Sequence, residues 1–180
     1  MLSLTSLSGW EEAVVASIRA ASGSAEERYR QIERSGLYGE YPAIVGAYLE
    51  LFDDAESAGE ALKRALFLVW RGAMFSPDVT GIAEVPVSSA RHVMERLDGV
   101  VRGGDRAGDD ELAWMLAWYR EHGAYALELL GATPAVMRWR QDVSPEAWRN
   151  AGVSVARMAQ RGQMGLYWSA VAADLTDRAP

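Results

Sequence analysis

The amino-acid sequence predicts an all-α fold: one compact domain, residues 1–180, of about eight helices with mainly antiparallel neighbours. Two observations carry this. The first is a helix-start signature that recurs as Ser8-x-x-Glu11, Ser24-x-x-Glu27 and Ser57-x-x-Glu60, joined by Thr133-Pro134 and Ser144-Pro145. In such a box the serine hydroxyl accepts from the N–H three residues on, and the glutamate accepts from the serine's own N–H. The second is that apolar residues recur at helical spacing along most of the chain. At 180 residues with 49% hydrophobic content, the chain holds enough apolar material for one core and does not need two.

Taken in order, a first helix is expected from Gly9 to Ala21, with Trp10, Val14, Ile18 and Ala21 on one stripe. A second, Ala25 to Ser35, is mostly charged, and Gly36 follows it as a left-handed stop. Pro42 opens a third, with Ile44, Val45, Tyr48, Leu49 and Phe52 inward. The fourth, Ser57 to Met74, turns Ala61, Leu62, Ala65, Leu66, Val69 and Trp70 inward and Glu60, Lys63, Arg64 and Arg71 outward, with Phe67 among those charges. Prolines and a glycine make Ser76–Pro86 a loop containing Thr80-Gly81-Ile82. A fifth helix spans Val87 to Arg102, and glycines from Gly103 to Gly108 link it to a sixth, which starts near Asp109 or Asp110 and is expected to pause at Gly123. A helical turn after Thr133 precedes a helix from Ser144, with Trp148, Ala151, Val155, Met158 and Ala159 inward. The last helix, Gln163 to Leu175, is expected to bury Met164, Trp168, Val171 and Leu175.

The formal charge of −7 disfavours a nucleic-acid partner, whose phosphates reward a basic face, and favours a protein with a basic surface. With no cysteine, disulfides and thiolate zinc sites are excluded. Met1–Trp10 lacks a basic leader and the longest apolar run, Ala65–Trp70, is too short to span a bilayer, so a cytoplasmic protein with no membrane partner is expected. Lys63 is the only lysine; arginine elsewhere, with abundant alanine and glycine, fits a GC-rich bacterial genome.

Histidine offers little chemistry. His92 falls on the polar face of the fifth helix, opposite Ala90, Val93 and Leu97. Glu95-x-x-Asp98 resembles half of the magnesium-holding signature of all-α nucleotide pyrophosphohydrolases, but the E-x-x-E half upstream is absent, and neither a metal nor a cofactor is expected. On the sixth helix, Trp114 and Trp118 stand outside the aliphatic stripe, with Glu111 and His122 near them. Tryptophans one turn apart need cover of their own. They are expected to be core under a second helical layer, or the floor of a pocket edged by Glu111 and His122, with Arg71 or Arg120 as further candidates.

Charge is uneven. No cation occurs between Ser35 and Leu62, where Glu40, Glu50, Asp53, Asp54, Glu56 and Glu60 form an anionic stretch, partly explained by the start of the fourth helix. Arg138, Arg140, Arg149, Arg157 and Arg161 make the C-terminal third basic, suited to a contact with the acidic half within one chain or across a homodimer. The expected function is a non-catalytic protein–protein interaction module, such as an immunity-type inhibitor of a basic partner. Its contact residues would be Glu50, Asp53, Asp54, Glu56, Glu60 and Phe67. The alternative is an enzyme or small-ligand-binding protein with a pocket around Trp114, Trp118 and His122.

Overall fold

The computed structural model describes residues 2–83, 85–103, 109–144, 158 and 160–177. Among them the chain forms α1 (Leu4–Ala20), α2 (Ala25–Arg34), α3 (Glu40–Glu50), α4 (Ala58–Met74), α5 (Pro77–Thr80), α6 (Val87–Gly103), α7 (Asp110–Leu129), α8 (Pro134–Arg138) and α9 (Gly162–Asp177). Short 3-10 turns at Leu37–Gly39 and Leu51–Asp53 precede and follow α3, and no strand occurs among these residues. The all-α class is therefore established. The helix expected after Ser144-Pro145, with Trp148, Ala151, Val155 and Ala159, lies outside the described residues. So do Arg149, Arg157 and the connector 104–108.

Local chemistry sets most helix ends. Ser24 and Glu27 form the reciprocal box at the start of α2, and Gly36, at φ 73°, adopts the left-handed conformation that ends its run. Asp109 caps α7 by accepting from the Leu112 N–H at 2.9 Å, and Thr133 caps α8 ahead of Pro134. The other two boxes do not form. Helix α1 begins earlier than expected, capped by Ser3 accepting from the Ser6 N–H at 3.1 Å, so Ser8 and Glu11 lie within the helix and are buried. Ser57 makes no side-chain cap. Its N–H donates to Asp54 Oδ2 at 3.2 Å instead, and Glu60 turns toward arginines.

Helix α4 is the axis of the array, packed against α3, α5, α6, α7 and α9. Every residue from Ala58 to Trp70 is buried except the partly covered Glu60. Lys63, Arg64 and Phe67, expected outward, are inside, because neighbours cover α4 on every side and leave it no solvated stripe. Helix α7 crosses the end of α4 at Gly123, whose backbone is non-helical (φ −170°, ψ 46°). A Cβ there would sit 3.0 Å from Trp70 Nε1. After α5, Gly81 turns the chain at φ 71° so that Ile82 packs under Gly72 of α4, and an added Cβ on Gly81 would overlap Ile18 of α1. Among the described residues no helix is long and apolar enough to cross a membrane.

Candidate functional site

The burial of α4 forces its charges into partnership, and the result is a polar seam where α1, α4, α7 and the start of α9 meet. Lys63 Nζ donates to Glu111 Oε2 at 2.7 Å and lies 3.5 Å from Asp109. Arg161 donates to Glu111 Oε1 and to both oxygens of Glu60, reaching Oε1 through Nε at 2.6 Å. Arg64 donates through Nε to the same Glu60 oxygen at 2.6 Å and through Nη1 to Ser8 Oγ at 2.6 Å. Lys63, Arg64 and Arg161 are thus matched by Glu60, Asp109 and Glu111. Partial burial alone would raise the Glu60 carboxyl. The hydrogen bond and charge of Arg161, with Arg64, outweigh it and hold Glu60 below the usual range. Burial disfavours the Arg161 and Arg64 cations too, yet their acidic partners more than restore them. A cleft of about 680 Å³ opens over this seam, lined among others by Ser8, Glu12, Glu60, Arg64, Glu111 and Arg161.

Beneath the cleft lies Glu11, 1% exposed. Tyr48 OH donates to its Oε1 at 2.5 Å, and the Gln163 N–H donates to its Oε2 at 2.8 Å. Desolvation is the dominant influence and pushes its pKa up to about 7, against the smaller opposing pull of Tyr48, Gln163 and Arg64. Burial likewise pushes the Tyr48 and Tyr41 hydroxyls well up. Gly162, at φ 61°, lets the chain pass so close that a Cβ there would stand 2.7 Å from the Glu11 carboxyl. Gln163 extends the network, donating through Nε2 to Tyr41 OH at 2.7 Å and to the Thr80 carbonyl at 2.9 Å. A second recess, of about 230 Å³, is bordered by Gln163, Thr80, Arg71, Arg19 and Tyr167.

The site residues expected from sequence are dispersed. Glu50, Asp53 and Glu56 are exposed at the α3–α4 corner. Asp54 is partly buried, and its hydrogen bond to Ser57 holds its carboxyl below the usual range. Glu60 belongs to the seam. Phe67 is 0% exposed, with Tyr167 at 5.4 Å between ring centroids, so it is core and not a contact surface: its place among charges misleads because those charges are themselves interior. Trp114 is 2% exposed with its ring 4.3 Å from that of Trp168, and Trp118 Nε1 donates to Tyr167 OH at 2.9 Å. These tryptophans form the α7–α9 interface. His122 is exposed and stacks on Trp118 at 3.8 Å, whereas Glu111 lies in the seam, so the two do not edge one cleft.

His92 is exposed, with its ring edge-on to Phe52. Asp98 accepts from Thr133 and Arg102, and these bonds hold its carboxyl below the usual range; Glu95 is exposed. Among the described residues no group of histidines and carboxylates converges as a metal site. Sequence reading missed Glu11 and Gln163 as members of any site, and Arg64 and Lys63 as interior groups. No protein-family model matches the chain, and no curated protein or solved structure matches it significantly.

Proposed function

We propose that this chain is a non-catalytic binding protein whose acidic α3–α4 corner docks a partner with a basic surface, in the manner of an immunity-type inhibitor. One observation carries the reading: Glu50, Asp53 and Glu56 are exposed on one short stretch and join no ion pair among the described residues, while Glu60, ten residues from Glu50, is neutralised inside the fold. Glu40, at the start of α3, is occupied by the Trp10 indole N–H at 2.7 Å. Arg96 reaches the corner but donates to the Phe52 carbonyl at 2.9 Å. Clustered like charges repel one another, and a basic partner relieves that repulsion while gaining association rate and specificity. Glu11 does not argue for catalysis, since protein donors occupy both its oxygens and almost none of its surface is exposed.

The test installs a photo-crosslinking residue at Ala55, between the acids, in the producing cells. A single basic protein should be captured, and capture should be lost when Glu50, Asp53 and Glu56 are all changed to lysine, with the unfolding midpoint unchanged. Association with the purified partner should slow by about tenfold or more as salt rises from ~0.05 to ~0.5 M. Capture indifferent to charge reversal, or no specific capture, would refute the reading.

A further inference from the structure

The seam's cations are balanced, and Arg71 is not. Its guanidinium is half-buried at the end of α4, 4.9 Å from the ring centroids of both Phe75 and Tyr167 and 5.9 Å from that of Phe67. Its Nε is buried with no acceptor, and it forms no ion pair among the described residues. Burial without a compensating carboxylate pulls its pKa down. Rings beside a guanidinium engage its faces and leave its edge, where the N–H groups point, for a planar oxyanion.

Gln163 borders the same recess: it is 7% exposed, and its Nε2 is fixed by the Tyr41 hydroxyl and the Thr80 carbonyl. Around these two residues the walls are apolar, from Val15, Ile18, Val79 and Leu166, and the exposed Arg19 adds a second cation to the lining. The volume of about 230 Å³ equals roughly eight water volumes, or room for on the order of ten non-hydrogen atoms.

We infer that this recess binds a small monocarboxylate with an aliphatic tail: the carboxylate lies edge-on to Arg71 and the tail packs on Val15, Ile18 and Leu166. The site is separate from the acidic corner and opposite to it in sign, so the two readings stand or fall independently.

Isothermal titration calorimetry of the full chain tests it with hexanoate, hexan-1-ol and hexylamine. Hexanoate should bind in the millimolar range or tighter, and the alcohol and amine at least about tenfold more weakly. Arg71→Gln should weaken hexanoate by about tenfold or more. Val79→Glu should do the same by repulsion at the rim. Because Val79 is 58% exposed, that variant keeps its unfolding midpoint and decides the matter even if Arg71→Gln folds poorly. The lysine triple variant of the acidic corner should bind hexanoate as the parent does. Absence of hexanoate binding, equal binding of hexan-1-ol, or indifference to both Arg71→Gln and Val79→Glu would overturn the inference.

Discussion

Glu11→Gln provides the sharpest test of how the interior is built. The Glu11 carboxyl titrates near 7 in the fold, against an ordinary value of 4.5, chiefly because burial disfavours its charged form. The folded state therefore holds a proton that the unfolded chain has released at any pH between those values. The contribution of Glu11 to stability is most favourable below the unfolded value, falls as pH rises through the interval, and carries the whole penalty above about 7. The interval of about 2.5 pH units corresponds to roughly 3 kcal/mol. Glutamine keeps the shape and cannot ionise, so the variant escapes that penalty.

The groups facing Glu11 are Tyr48 from α3, Arg64 from α4, the Gln163 N–H from α9 and Glu12 beside it, and all are present in both proteins. Their contributions largely cancel when the two stabilities are subtracted at each pH. Urea unfolding followed by tryptophan fluorescence from about pH 5 to about pH 8 supplies the numbers. The variant-minus-parent difference should climb with pH by roughly 3 kcal/mol and level off above about 7. A flat difference would mean that Glu11 titrates as an ordinary carboxyl, and the picture of a neutral carboxyl held by Tyr48 and Gln163 would be wrong.

Two further perturbations test the core and the seam. Phe67→Ala should lower stability by about 3 to 5 kcal/mol in the same urea assay, as expected for a fully buried ring, whereas a residue serving only a partner would leave the midpoint in place. Glu60→Gln leaves Arg161 and Arg64 short of their shared carboxylate and should cost about 3 kcal/mol, and adding Arg161→Gln should cost less than the two single losses combined. An unchanged midpoint for Glu60→Gln would show the seam to be incidental.

The helices were legible because spacing and punctuation agree: Ser24 with Glu27, Gly36, Asp109 and the break at Gly123 all act where the pattern puts them. The seam was not, because S-x-x-E also describes two residues one turn apart inside a helix. What decides between cap and interior is the neighbouring stripe. Leu7, Glu11, Val14 and Ile18 step by helical intervals along one face of α1, so Glu11 occupies a core register. Similarly, Leu66, Phe67, Leu68, Val69 and Trp70 leave no polar arc on that turn of α4, the mark of a helix enclosed all round. Gln163 had no such signal, since its role depends on Tyr41 and Thr80 arriving from distant parts of the chain.

The seam is scaffold because its charged groups satisfy one another. Glu60, Glu111, Lys63, Arg64 and Arg161 do so, and a ligand entering their cleft would have to break bonds already made. Arg71 reaches the same boundary between helix and solvent from the same helix, one turn after Phe67 and one turn before Phe75, and finds aromatic rings where the others find carboxylates. Moving a charge from water to such a place is unfavourable unless something answers it. Tyr167, which stands beside Arg71, is itself held by the Trp118 indole, so the wall of the recess is braced by the tryptophan face of α7. The aromatic surface that the sequence left open as core or binding floor thus supports a neighbouring site by packing rather than by contact.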